Sequence, residues 1–391
     1  MVGTTPIRIW MGSPSCPFQR ENKTDMDSKG FSRLLAAASS AGLDGLVLVP
    51  GPNLFYLTGL SFHLSERPVV AFLFRDRPPL LVLPTLEASK IECLTGGWRA
   101  FTYSDEEGYE TAFQNAVAML GLTGGVVGVE ALRARFLEVS LLERYLPAAR
   151  LTPAEDVLAQ LRMRKTSAEL SAMRRAVAVT ETALKRTMDS VQAGMTERAV
   201  AAALKIELLR AGADGMSFEP IVAAGPNAAL SHATPGERPI QAGEPIVVDC
   251  GAMVDGYAAD ITRTFSIGPL EGEMAHVYHV VRAANEAGRA AVRPGVPAEA
   301  VDQAARTVIE TAGYGPQFTH RTGHGLGLEV HEPPYIVAGN RRLLEPGMTF
   351  TIEPGIYLPG VGGVRIEDDV VVTESGGESL TTFPRTEYTR R

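Results

Sequence analysis

The sequence predicts an α/β protein of two domains: first an α/β sandwich, then a domain with helices outside, a curved sheet inside and pseudo-two-fold symmetry. Three observations carry this expectation. Up to about residue 155, short apolar runs alternate with helical stretches, the pattern of helices packed on a sheet. Beyond that point the order helix, helix, hairpin occurs twice. At 391 residues the chain is also long enough for two domains with a substantial core.

Residues 1–25 hold Gly3, Pro6, Gly12, Pro14 and Pro17 with little periodicity and no apolar run of a secretory signal. They are expected to be a disordered tail or a misplaced start. The first domain is expected over 26–155. It has a helix at 32–40, a strand at 43–49, and strands at 69–74 and 80–83 separated by the turn Arg75-Asp76-Arg77-Pro78. A helix at 109–120 and a strand at 124–129 follow. A long helix marks the junction. Thr152-Pro153-Ala154-Glu155 offers a capping Thr and a Pro at the first helical position, and Thr166-Ser167-Ala168-Glu169 offers a second cap. Within 156–391 that helix runs to about 188. Further helices are expected at 196–210, at 272–292 before Arg293-Pro294-Gly295, and at 297–311.

The first hairpin is predicted from an apolar run ending at Asp249 and an alternating run at 258–267, with Asp255-Gly256 between them as a strong turn signal. The fold-back is expected to set Asp249 and Asp260 opposite each other, where facing side chains lie roughly 4.5–5.5 Å apart. Two carboxylates that close repel unless a cation lies between them. The second hairpin is predicted from residues 348–353, a Pro/Gly-rich turn at 354–363, and a strand at 364–372 carrying Glu367. His324 lies between the hairpins, flanked by Gly323 and Gly325, which are expected to leave room for an inorganic centre.

Composition narrows the function. The net charge of −8, with no basic run, disfavours nucleic acid and anionic membrane as partners. No apolar stretch reaches about 18 residues, so no membrane helix is expected. Cys16, Cys93 and Cys250 are few, odd in number and widely spaced, which argues against a disulfide framework. Cys250 should point away from Asp249 into the core, because neighbours on a strand face opposite ways. A cytoplasmic enzyme is expected.

Asp249, Asp260, His324, Glu353 and Glu367 stand in the stretches DCG, ADITRTF, GHGLG, EPG and RIED. Each fragment alone is commonplace in turns and strand exits. Together, in this order and on two hairpins, they form an oxygen-rich set suited to Mn, Co or Zn. The set exceeds what one cation usually takes. Two carboxylates bridging metals about 3.5–4 Å apart would use all five.

From about residue 46 to 374 the chain resembles the pita-bread metallopeptidases, in particular the branch cleaving Xaa-Pro bonds (prolidases and Xaa-Pro aminopeptidases). The resemblance implies a creatinase-like N-terminal domain that contributes to a homodimer and shapes access to the site. The segment Asn53-Leu54-Phe55-Tyr56-Leu57-Thr58-Gly59 is similar to one common in that domain. It implies two divalent metal ions per subunit: Asp260 and Glu367 bridge, Asp249 completes one site, and His324 and Glu353 complete the other. It also implies that Glu353 shuttles a proton, that His232 and His331 are the two non-ligand histidines, and that Arg365 braces the metal-bound carboxylates. His331 is expected to assist the oxyanion and His232 to position the leaving residue. The implied substrate is a peptide with proline second. His320, His276 and His279 have no motif support. Two other classes compete: a methionine aminopeptidase of the same fold, which usually lacks a large leading domain, and a non-catalytic binding protein or metal-free creatinase-like hydrolase, which would have lost ligands. A dipeptidase would further need a cation for the free carboxylate of proline. Arg67, Arg321 and Arg341 are candidates that no spacing separates.

Overall fold

The computed structural model describes residues 8–9, 26–92, 94, 96–386 and 388–390. It divides into two compact units, Met1–Arg162 and Met163–Arg391. Of the first 25 residues only Arg8–Ile9 is described, as a short strand antiparallel to Arg99–Tyr103. The tail expected at 1–25 otherwise lies outside the described residues, as do Cys16 and Cys93.

The N-terminal unit is built on a seven-stranded sheet. Its order is Arg8–Ile9, Arg99–Tyr103, Leu80–Pro84, Val70–Phe74, Gly45–Leu48, Gly125–Val129, Ala149–Pro153. The central strands read GLVL, VAFLF and LLVLP and are buried throughout, as strands covered on both faces must be. Alternation then divides them between two cores. Leu46, Leu48, Ala71, Leu73, Leu81 and Leu83 pack on one side with helices Met26–Ser40 and Pro52–Thr58. Val47, Val70, Phe72, Phe74, Leu80 and Val82 pack on the other with Glu110–Leu120 and Phe136–Tyr145. This is the expected sandwich. The Asn53–Gly59 text forms the short helix Pro52–Thr58, closed by Gly59 at φ 70°, a left-handed cap that glycine adopts without strain.

The expected junction helix is not continuous. Thr152 and Pro153 end the strand Ala149–Pro153, and the helix Glu155–Arg162 starts after them. Parallel pairing of Gly128 with Thr152 and Val129 with Pro153 outcompetes the capping signal, and proline is tolerated because this strand is the sheet's edge. A second helix, Ser167–Ser190, begins at the other predicted cap. There Thr166 Oγ1 accepts from Glu169 N–H, and the Glu169 carboxylate accepts from Thr166 N–H.

In the C-terminal unit, helices Ser167–Ser190 and Glu197–Arg210 precede the first hairpin, and Gly272–Ala291 and Ala298–Thr311 precede the second. The first hairpin pairs Ile246–Cys250 with Ile261–Ile267, and Asp255 (φ 53°) and Gly256 (φ 83°) make its turn. The register corrects one expectation. Asp249 pairs with Thr262, so Asp260 is diagonal to Asp249, on the same face but not opposite it. The ladder splits at Gly251, where a Cβ would lie 1.8 Å from the Ala259 carbonyl oxygen, and the tip strands Ala252–Val254 and Tyr257–Ala258 join a separate sheet.

The second hairpin pairs Thr349–Ile352 with Asp368–Thr373. Its connection is not a plain turn but a smaller hairpin, Gly355–Leu358 with Gly362–Arg365. Cys250 is fully buried in the core beneath the first hairpin, facing away from Asp249 as alternation requires. Among the described residues, no helix is long and apolar enough to cross a membrane.

Candidate metal centre

Each candidate donor sits at a strand end or in a tight strand of the C-terminal unit. Asp249 is near the end of Ile246–Cys250, Asp260 directly precedes Ile261–Ile267, and His324 is the middle of Gly323–Gly325. Glu353 follows Thr349–Ile352, and Glu367 precedes Asp368–Thr373. The glycines beside His324 serve a different purpose from the one expected. A Cβ on Gly323 would lie 1.8 Å from the Thr351 carbonyl oxygen, and one on Gly325 would lie 2.4 Å from those of Glu332 and Pro333. They admit the flanking strands' backbone and not an inorganic centre.

These ends converge. One donor atom each from Asp260, His324 and Glu367 lie within 4.8 Å of one another. His324 Nε2 is 3.6 Å from Asp260 Oδ2 and 3.4 Å from Glu353 Oε1. Arg365 Nη2 donates to Asp249 Oδ2 at 2.6 Å, and Arg365 Nε donates to Thr262 Oγ1 at 3.1 Å. That hydroxyl in turn donates to Glu367 Oε2 at 2.6 Å. One arginine thus fixes two of the four carboxylates. All five donors, with His232, His331 and Arg365, line a single cavity of about 440 Å³.

The electrostatics fit a divalent cation. Asp249, Asp260, His324 and Glu367 are no more than 7% exposed. The Asp249 Oδ1 and Asp260 Oδ1 atoms are buried without any hydrogen-bond partner. Leaving such oxygens unpaired costs about 1–3 kcal/mol each, and more when charged, unless a cation takes them. Burial, then Glu367 and Asp249, push the Asp260 carboxyl well above the carboxylate range; burial, then Glu353 and Asp249, do the same to Glu367. Burial lifts Glu353 to about 7. His324 is held well below its ordinary value by burial and then by His331, so it stays neutral. Its Nδ1 faces the Gly325 carbonyl at 3.2 Å, which places the proton there and leaves the Nε2 lone pair for a metal.

A stability prediction follows for the chain without metal. Asp260, Glu367 and Glu353 keep protons in the folded state that the unfolded chain releases above its ordinary carboxylate values of 3.8–4.5. Below about 6.5 the depressed histidines oppose this, because there the unfolded chain gains protons that folded His320, His324 and His331 do not. From about pH 7 to 8 that opposition fades and the carboxylates dominate. Thermal melts in chelator should therefore show a falling Tm over that window, and divalent metal should remove the slope. A Tm in chelator that is flat or rises would contradict the buried-carboxylate geometry.

Two site residues, His320 and Tyr357, belong to no motif in the sequence. His320 Nε2 lies 2.8 Å from the Tyr357 hydroxyl, and Arg365 Nη1 donates to that hydroxyl at 3.0 Å. His320 Nδ1 faces the Arg321 carbonyl at 2.8 Å, so Nε2 accepts from Tyr357. A chain of hydrogen bonds then runs from His320 through Tyr357 and Arg365 to Asp249. Burial brings His320 down to about 4, which keeps it neutral in this chain. The four-residue interval from His320 to His324 was the available clue. His331 stacks edge-on against His324 with ring centroids 4.1 Å apart, while His232 is an exposed residue of the cavity wall. His276 and His279 are exposed on helix Gly272–Ala291, away from this cavity.

Buried carboxylates and one imidazole, gathered at the strand ends of two sheets, make a candidate divalent-cation site. The comparisons give the family. Residues 171–374 match metallopeptidase family M24, and residues 31–164 match the creatinase/prolidase N-terminal domain. The chain belongs to metallopeptidase family M24. It is 39% identical over 367 residues to a probable dipeptidase of Mycobacterium tuberculosis, covering 92% of this chain and 96% of the relative. It is 37% identical over 328 residues to an Xaa-Pro dipeptidase of Lactobacillus helveticus, covering 83% and 89%. Among solved structures it is similar to a prolidase of Thermococcus sibiricus, with TM-score 0.89, 35% identity, and 94% and 100% coverage.

Proposed function

We propose that this chain is an Xaa-Pro exopeptidase that removes the first residue from short peptides with proline second. The observation that carries it is the gathering of five candidate ligands, two further histidines and a bracing arginine around one cavity. The proline preference draws on the names of the relatives and on that histidine pair. In this assignment Asp249, Asp260, His324, Glu353 and Glu367 would hold two cations, with Asp260 and Glu367 shared between them. Mn, Co and Zn suit the mix of oxygens with one imidazole. When bound, such a pair supplies Lewis acidity at the carbonyl and lowers the pKa of the attacking water.

The chain's own residues do the rest. Glu353, beside His324 on the cavity wall, is placed to carry a proton from water to the leaving nitrogen. His331, held neutral by burial, offers an N–H toward the developing oxyanion. His232, on the cavity wall, contacts the leaving residue. Arg365 keeps Asp249 and Thr262 in place. An Xaa-Pro bond has no N–H, so the site selects by the shape of the pyrrolidine ring where other exopeptidases use a hydrogen bond. The amine and the attacked carbonyl belong to one residue, so an enzyme that seats the free amine beside the attacked carbonyl cuts only the first bond.

We assign the N-terminal segment 26–155 to dimer formation and access, and 156–391 to catalysis, in a cytoplasmic homodimer. The resemblance supports this division, and the molecular mass in solution tests the dimer. A methionine aminopeptidase is disfavoured by the match of residues 31–164 to a creatinase/prolidase domain. A non-catalytic binding protein is disfavoured by the presence of all five candidate ligands. The test is turnover of Ala-Pro against Ala-Ala and N-acetyl-Ala-Pro. Ala-Pro alone should be cleaved at an appreciable rate. Comparable turnover of Ala-Ala would remove the proline preference, and comparable turnover of the acetylated peptide would remove the exopeptidase assignment.

A further inference from the structure

A buried ion pair lies behind His331. Lys165 Nζ donates to Glu332 Oε1 at 2.5 Å, and the two side chains are only 1% and 3% exposed. Neighbours on an extended chain face opposite ways. Here Glu332 is buried, while His331 lines the cavity and meets His324 edge-on. Taking two charges out of water is costly, and an apolar pair of similar volume is often just as stable. Stability alone is therefore a weak reason for this lysine and this glutamate.

The local backbone shows what the pair holds. Glu332–Ile336 runs beside Gly323–Gly325, but the register breaks: His324 is opposite Tyr335, and Gly325 is opposite Glu332. The two residues passed over on the longer side are Pro333 and Pro334, which have no N–H to give the ladder. The entry to this strand, where His331 sits, is thus short of backbone donors. The Lys165–Glu332 contact is placed at that entry.

Lys165 is itself well anchored. Its N–H donates to the Gly347 carbonyl at 2.8 Å, and Gly347 N–H donates to the Val372 carbonyl at 2.9 Å. Both acceptors belong to the hairpin whose strands lead to Glu353 and Glu367. Room for the pair comes from Gly327, where a Cβ would lie 2.8 Å from both Glu332 Oε1 and Lys165 Cε. The Gly327 carbonyl accepts from Ala258 N–H at 2.8 Å, two residues before Asp260. The ion pair is therefore tied to the backbone of the segments that carry the candidate ligands, and it ends directly beside His331.

We infer that Lys165 and Glu332 are positioning residues: their ion pair fixes where the His331 imidazole stands over the cavity, and so supports turnover and not substrate binding. The inference deepens the Xaa-Pro exopeptidase assignment and rests on it.

The experiment compares Lys165→Met, Glu332→Gln and the paired variant Lys165→Met/Glu332→Met with the unmodified protein, and repeats the set in a His331→Ala background. Tm, bound metal, and kcat and KM on Ala-Pro are measured, with rates taken well below every Tm. Each single change leaves a buried group without this partner and should lower Tm. The paired variant removes both charges and should melt near the unmodified protein. Its kcat should still fall by about 10- to 100-fold, the cost of a displaced catalytic group, with KM and metal content unchanged. In the His331→Ala background the paired change should cost less than about twofold, because residues that act through one another are not additive. A normal kcat in the paired variant, an equal loss in both backgrounds, or loss of metal would overturn the positioning role and leave Xaa-Pro cleavage standing. Absence of Ala-Pro cleavage by the unmodified protein would remove the parent assignment and this role together.

Discussion

Asp260→Asn and Glu367→Gln should each abolish peptide hydrolysis and leave no more than one equivalent of metal per chain. The two carboxylates lie among donor atoms gathered within 4.8 Å, and both are buried at the wall of the cavity. A neutral amide presents one good oxygen where bridging requires two, and its N–H₂ end repels a cation. Neither variant should unfold the metal-free protein, because removing a buried carboxyl removes a group whose charge is disfavoured there. Elemental analysis beside turnover checks the pair. Full metal content with normal turnover in either variant would overturn the bridging assignment.

The second large effect separates chemistry from metal binding. His232→Ala and His331→Ala should keep both metals and lose rate by about 10²–10³-fold, the range for removing one oxyanion donor or acid–base partner. His331 makes edge-on contact with His324, so its loss also opens a space beside a candidate ligand. His331→Phe preserves that packing and should be as slow as His331→Ala. If either alanine variant strips metal, that histidine belongs among the ligands. If His331→Phe turns over normally, the contact with His324 is packing and His331 has no part in the chemistry.

Much of this site was legible in the sequence because its residues stand in stretches whose backbone demands are local. Asp255-Gly256 announces a turn because both positions need positive φ, and the structure has φ 53° and 83° there. Thr166 and Glu169 announce a helix start because their reciprocal bonds span three residues. Where tertiary pairing decides, the text was less informative. Thr152-Pro153 carries a helix-start signature, yet the Gly125–Val129 strand recruits it into the sheet. Asp260 is diagonal to Asp249 because the turn pairs Val254 with Tyr257 and, counting outward in the same register, Asp249 with Thr262, so here the turn itself sets the register and a directly opposed pair does not follow from it. The small hairpin Gly355–Leu358 with Gly362–Arg365 was hidden inside a Pro/Gly-rich stretch that reads as a turn. Tyr357 was hidden with it, and so was the hydrogen-bonded chain from His320 to Arg365. Such a network joins residues distant in sequence through single atoms, and periodicity carries no trace of it.

The most direct measurement is a titration of metal-free protein with Mn²⁺ at pH 7.5, following Ala-Pro hydrolysis and bound metal together. Turnover should be negligible without metal and should rise to a plateau at two equivalents per chain. The orphaned oxygens of Asp249 and Asp260 should be the groups that lose activity when either is substituted. Full hydrolysis of Ala-Pro in the presence of chelator, with no metal bound, would contradict the account.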